Sequence, residues 1–186
     1  MALPQPNHPF TARDYLAWEA EQPEKHEYYH GEVFAMVGAS RKHVTVSVNV
    51  LTEFDRALEG SPCRVYMADM KLQAHEDNAY FYPDVFVTCD AADHQAEQYM
   101  RAPVVVVEVL SPATAACDRG DKFATYRRIP SLKEFVLIDP DQRRIEHYRR
   151  AAENVWELHE LEPGEPLAFP SLGAEIAAER VFRNLD

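Results

Sequence analysis

Asp84, Glu108 and Lys122 are the residues of this sequence whose types and surroundings most clearly suit chemistry. Asp84 lies in Phe81-Tyr82-Pro83-Asp84-Val85-Phe86-Val87, at the start of an apolar stretch, and Glu108 interrupts Val104-Val105-Val106-Val107-Glu108-Val109-Leu110, the most hydrophobic stretch of the chain. A carboxylate among such neighbours is strongly disfavoured unless it is protonated, paired or bound to a metal. Two carboxylates about 4 Å apart repel by about 4 kcal/mol at an effective dielectric of about 20, and a hard divalent cation reverses that sign. Magnesium takes carboxylate oxygens, backbone carbonyls and waters in an octahedral shell, so Asp84, Glu108 and the carbonyl of Val109 make a sensible ligand set. Lys122, in Asp118-Arg119-Gly120-Asp121-Lys122, is the best candidate for a cation beside an attacking water or a developing oxyanion. The competing assignment puts Asp84 and Glu108 at a wet strand edge and Lys122 on an exposed helix face.

His26-Glu27-Tyr28-Tyr29-His30 matches H-E-x-x-H, the zinc-protease pattern, which works when a helix puts both histidines on one face beside the glutamate. Its context opposes a helix. Pro23 precedes it, two tyrosines fill it, Gly31 follows, and a strand-like run comes next. In a strand the two histidines would stand about 13 Å apart, too far to share one zinc. A metalloprotease is therefore a minor alternative, with Glu53 as its conceivable third ligand.

The elements that must position these residues follow from the pattern. Thr11 with Asp14 forms a variant capping box opening a short helix to about Glu21, stopped by Pro23. Tyr28-Tyr29 and Val33 to Val37 are expected as two strands joined by a tight turn at His30-Gly31. Val44, Val48, Leu51, Phe54 and Leu58 recur at helical spacing, predicting an amphipathic helix over 40–59 that carries His43 and ends before Gly60. Strands are expected at Arg64 to Ala74, Phe81 to Thr88 and Pro103 to Leu110, the last suited to a sheet covered on both faces. Asp69 and Lys71 would then share one strand face and could line the cleft. A polar excursion spans 89–102, and a helix spans Asp118 to Arg128. Glu134 to Ile138 and Arg144 to Tyr148 form a hairpin turned at Asp139-Pro140-Asp141, Trp156 to Leu161 adds an edge strand, and Leu172 to Phe182 a terminal helix.

With 186 residues and 46% hydrophobic content, the chain is expected to be a single α/β domain, 1–186, with one sizeable core. Six glycines leave little room for a glycine-rich phosphate cradle. Met1 to Phe10 lacks the basic start and apolar run of a secretory leader, and no later run suits a membrane span, so a cytoplasmic location and no membrane partner are expected. Cys63, Cys89 and Cys117 are widely spaced and odd in number, and are expected to be reduced. A formal charge of −12 argues against polyanion partners. Residues 119–150 nevertheless hold nine of the nineteen basic side chains against five acidic ones, either a mixed solvated surface or a local basic face.

Taken in order, Glu27 with Gly31-Glu32, His43, Pro83-Asp84, Glu108-Val109-Leu110-Ser111-Pro112, Asp118-Arg119-Gly120-Asp121-Lys122 and Leu137-Ile138-Asp139-Pro140 resemble the putative restriction endonuclease family of the PD-(D/E)XK nuclease superfamily. The resemblance covers about residues 10–160. It implies a restriction-endonuclease-like core, a four-stranded mixed central β-sheet flanked by helices, with additional N-terminal and C-terminal strands. It implies Mg²⁺-dependent, or Mn²⁺-dependent, hydrolysis of DNA phosphodiesters by a homodimer. Asp84 resembles the metal-binding aspartate and Glu108 the acidic residue of the second motif half. The usual lysine two positions on is replaced by Leu110, and Lys122 stands where a lysine migrated to the following helix would be. Glu27 resembles the additional acidic residue of such sites, while His43, Asp69, Lys71 and Arg119 are expected near substrate. A catalytically inactive nuclease-fold module, for nucleic-acid binding or protein assembly, is the alternative that the acidity and the displaced lysine motivate.

Overall fold

The computed structural model describes residues 10–76, 78–161 and 164–186. Residues 1 to 9 of the amino-terminal stretch considered above lie outside them. Thr11 caps α1 (Ala12–Glu19) through the expected reciprocal bonds with Asp14. Next come β1 (His26–Tyr29) and β2 (Glu32–Ala35), which pair antiparallel. Their turn is His30-Gly31, with φ of 49° and 88°, the two positive values that a two-residue primed turn demands.

Helix α2 (Arg41–Ala57) is capped by Ser40. Its buried stripe is Val46, Val50, Phe54 and then Leu58, whereas Val44 and Val48, expected in the core, are 50% and 44% exposed. The helix is apolar around more than half its girth, so spacing alone admits either stripe. The choice is made by the carboxy-terminal segment, whose carbonyls at Val181 and Arg183 accept from Asn49 and draw that side of the helix inward.

The expected strand over Arg64 to Ala74 is two strands, β3 (Arg64–Met67) and β4 (Leu72–His75), separated by a turn closed from Met70 N–H to the Met67 carbonyl. Phe81 to Thr88 likewise divides into β5 (Ala79–Phe81) and β6 (Val85–Thr88) at Tyr82-Pro83-Asp84, where proline lacks the ladder donor. In both cases the halves belong to different sheets. A 3-10 turn (Asp93–Gln95) interrupts the polar excursion before β7 (Pro103–Val109).

The expected helix after β7 is broken into α3 (Ala115–Cys117), a π turn (Asp118–Lys122) and α4 (Phe123–Tyr126). Then follow β8 (Glu134–Asp139), β9 (Arg144–Ala152) and β10 (Val155–Glu160), as the hairpin and edge-strand pattern predicts. The expected terminal helix is instead a hairpin, β11 (Leu167–Phe169) with β12 (Ala174–Ile176), and a short α5 (Ala178–Val181). Gly173, at φ 62°, turns the chain where a helix would have to continue.

Six strands form a mixed sheet in the order β10-β9-β8-β7-β6-β3, with β7 and β8 parallel and the other pairs antiparallel. The order β2-β1-β5-β4 forms a second, antiparallel sheet. Val105, Val107 and Val109 join the core beneath α2 and the terminal hairpin, while Val106 and Leu110 join the core on the opposite face with Tyr126 and Phe135. Period-two alternation therefore aims Glu108 at the second face. Cys63 and Cys89, expected as thiols, are joined in a disulfide; the β3–β6 register, Arg64 opposite Thr88, puts them side by side. No helix among the described residues is long and apolar enough to cross a membrane.

Candidate active site

Glu108, 3% exposed, projects from β7 toward α4. Its Oε1 accepts from the Tyr126 hydroxyl at 2.9 Å and from Lys122 Nζ at 3.4 Å, and its Oε2 accepts from the Asp84 N–H at 3.4 Å. Asp84, between β5 and β6, holds the far side of the same strand, its Oδ2 accepting from Val109 N–H at 2.7 Å. Glu27 arrives from β1, where His26 and Tyr28 are buried and Glu27 and Tyr29 are half-buried. Its Oε1 accepts from Tyr82 N–H at 3.2 Å and is 2.8 Å from Lys122 Nζ. Asp118 Oδ1 lies 3.6 Å from the same ammonium, which also stands 5.5 Å over the Phe81 ring.

The structure thus brings Glu27, His43, Asp84, Glu108, Val109 and Lys122 together, and adds Asp118 and Tyr126. Asp118, Lys122 and Tyr126 recur at intervals of four, the one signal in the sequence that marks them as neighbours. An α-helix drifts about 40° over each four-residue step, and the wider π turn at Asp118–Lys122 drifts the other way. All three side chains consequently face the sheet.

The electrostatics follow from crowding. Burial pushes the Glu108 carboxyl well above the ordinary carboxylate range; Lys122 opposes this, and Asp118, Asp84 and Glu27 reinforce it. Burial likewise raises Asp118, against Lys122 and Thr114. Burial disfavours the charged Lys122, yet Glu108, Glu27 and Asp118 outweigh it and hold the ammonium well above its usual value. His43, on the inward side of α2, has Nε2 3.2 Å from Asp84 Oδ2. Burial disfavours its charged form, but Asp84 and the Val109 backbone overcome this and raise it.

Asp84, Glu108 and the Val109 carbonyl offer hard oxygen donors, and the Asp84 and Val109 donors both address the His43 imidazole. These two oxygens therefore already face a nitrogen of the His43 ring. The donor chemistry suits magnesium or manganese. Among the described residues no three His, Cys, Asp or Glu side chains form a preassembled metal-ligand group.

Other expected neighbours lie elsewhere. Asp69 and Lys71 are in the turn and loop between β3 and β4, not on a strand, so the alternation argument fails for them. Asp69, its side chain 81% exposed, pairs with Lys25 and does not line the cluster. Arg119 is turned to Glu146 on β9, at 2.7 Å. His26 bonds Glu19 through both its backbone N–H and Nδ1, while His30 is in the turn, so the H-E-x-x-H segment is strand and turn. Glu53 pairs with Arg56.

Residues 12–179 match the family model Uma2, described as "Putative restriction endonuclease". An uncharacterized protein of Synechocystis sp. is 36% identical over 188 residues, covering 100% of this chain and 99% of its own length. A second from the same organism is 35% identical over 153 residues, covering 81% and 86%. The crystal structure of a "putative nuclease belonging to DUF820" from Anabaena variabilis superposes with a TM-score of 0.77 at 19% identity, over 96% of this chain and 100% of that one. That likeness establishes the restriction-endonuclease-like fold.

Proposed function

We propose that this chain, which belongs to the Uma2 restriction endonuclease family, is a divalent-metal-dependent endonuclease that hydrolyses DNA phosphodiester bonds. The observation that carries the proposal is the convergence of Asp84, Glu108 and Lys122, from three separate elements, within 3.4 Å links. Asp84, Glu108 and the Val109 carbonyl would hold Mg²⁺, or Mn²⁺, which when bound supplies Lewis-acid stabilisation of the charge that builds on the phosphate. Lys122 keeps its proton at Nζ, held by Glu27 and Asp118, and donates toward the attacking water or the phosphate oxygen. Tyr126 fixes Glu108 through its hydroxyl. A water oxygen adds to phosphorus as the P–O ester bond breaks; the water gives up one proton to solvent and the leaving oxygen takes one back, so one water is consumed and the products are a phosphate monoester and a hydroxyl. DNA as partner and a homodimer as assembly belong to the same proposal.

The test is Mg²⁺ and Mn²⁺ titration of the protein and its Asp84→Ala variant against duplex, nicked and branched DNA. Cleavage is expected from the first and a loss of at least a hundredfold in the second, since removing a group that stabilises transition-state charge costs about that much. Excess Mg²⁺ should also raise the melting temperature of the parent protein, because a ligand bound only to the folded state stabilises it, and should leave Asp84→Ala unmoved. Equal cleavage by the two proteins removes Asp84 from the mechanism.

One observation favours a second reading, a non-catalytic nucleic-acid-binding or assembly module. Glu108 and Lys122 are only 3% and 7% exposed, which limits how far an entering phosphate can reach them. That reading expects DNA binding without cleavage in either metal.

A further inference from the structure

Several cations around the candidate site are already neutralised. Arg119 is matched by Glu146, Lys42 by Asp141, Arg144 by Glu160, and Lys122 by three carboxylates. Lys71 is different. It is 8% exposed, yet among the described residues its ammonium has no carboxylate within ion-pair distance and no hydrogen-bond acceptor, only the Tyr15 ring at 5.1 Å and the Tyr82 ring at 5.6 Å. The carboxylate that acts on it from further off, Glu19, is already engaged by His26 and by the Tyr82 hydroxyl. Burial accordingly pulls the ammonium below the usual lysine range, against Glu19.

The stem of Lys71 is covered while its ammonium, steadied only by aromatic faces, keeps its donors free for an anion arriving from solvent. The position identifies the anion. Tyr82, whose ring Lys71 approaches, donates its N–H to Glu27, and Glu27 contacts Lys122; Asp84 is two residues further on. Lys71 is thus joined to the carboxylate cluster through Tyr82, outside the cluster itself but one residue's contact away from Glu27.

We infer that Lys71 is a phosphate-binding side chain, holding a backbone phosphate of the nucleic acid next to the one cleaved, with Tyr15 and Tyr82 as the aromatic seat that keeps its ammonium extended and unpaired. This rests on the nuclease reading above. It assigns Lys71 to binding, apart from the bond-breaking group of Asp84, Glu108 and Lys122.

The experiment compares the protein with Lys71→Met and Lys71→Arg, measuring affinity for a labelled DNA duplex across a salt series, with Ca²⁺ replacing Mg²⁺ to prevent cleavage. Loss of one phosphate contact lowers the slope of log affinity against log salt by about 0.9. Lys71→Met should show that loss with about tenfold weaker binding, Lys71→Arg should restore most of it, and in Mg²⁺ the Met variant should raise KM more than it lowers kcat. Because methionine keeps the covered stem and breaks no ion pair among the described residues, the melting temperature of Lys71→Met should equal or exceed that of the parent. A Met variant with parental affinity and salt slope overturns the inference alone, as does one that melts lower with its slope unchanged, the mark of a purely structural lysine. A parent protein that binds no duplex at any salt concentration overturns the inference together with the nuclease reading.

Discussion

Lys122 is the single positive charge on which Glu27, Glu108 and Asp118 all converge, so its loss is felt as repulsion among buried carboxylates. Lys122→Met should destabilise the metal-free protein by about 3–5 kcal/mol in urea denaturation, the usual cost of removing one partner from a buried ionic group. Arginine should not repair it, because a planar guanidinium cannot occupy the place of a compact ammonium. Tyr126→Phe removes only a hydroxyl and should cost about 1–3 kcal/mol in the same measurement. Asp84, Glu108 and Lys122 are visible in the sequence because each is a charge in an unsuitable neighbourhood. Tyr126 is an aromatic residue among aromatic residues, so its hydroxyl's engagement with Glu108 has no compositional trace. Asp69 and Lys71 show the converse: their alternate spacing suggests a shared face only if a strand runs through them, and the turn at Met67 to Met70 removes the premise.

Elements whose ends carry strong local chemistry were legible, and those whose fate depends on tertiary partners were not. The Thr11 capping box, the His30-Gly31 turn and the β8–β9 hairpin all follow from neighbouring residues. The division of Phe81 to Thr88 between two sheets, and the hairpin in place of a terminal helix, are set by what lies opposite. That hairpin is tied down by Glu134, which accepts from Ser171 N–H at 2.9 Å and lies 2.6 Å from Nε2 of the fully buried His147. Burial holds His147 below its ordinary value of 6.5, with Glu134 opposing, and Glu134 itself is held low by His147 and Ser171 against burial. Both groups are depressed in the folded state, so below their ordinary values the unfolded chain binds more protons. Stability from His147 should be full above about pH 6.5 and drain away as the pH falls toward the folded value, with the Glu134 contribution lost further down. Melting temperatures measured from pH 8 to pH 5 should show this decline, and His147→Gln should flatten its upper part.

Across the whole molecule, a formal charge of −12 and a polyanionic substrate are compatible only if attraction is local. Within the basic stretch 119–150, Arg119, Arg143 and Arg144 are paired with Glu146, Asp186 and Glu160, whereas Arg127, Arg128 and Lys133 are exposed and belong to no ion pair among the described residues. The Cys63–Cys89 bond was invisible because an odd number of distant cysteines carries no pairing signal until a register places two of them opposite each other. It closes a ring of chain that begins in the six-stranded sheet with β3, crosses to the four-stranded sheet for β4 and β5, and returns with β6. Asp84 belongs to that ring. A protease that cuts at the turn beside Asn78 should therefore release nothing: the product should run as an intact chain on a non-reducing gel and as two pieces after reduction. The cut would open the ring into two arms joined at the disulfide, β3 with β4 on one and β5 with β6 on the other, and Asp84 would be held to the rest of the chain through β6 alone.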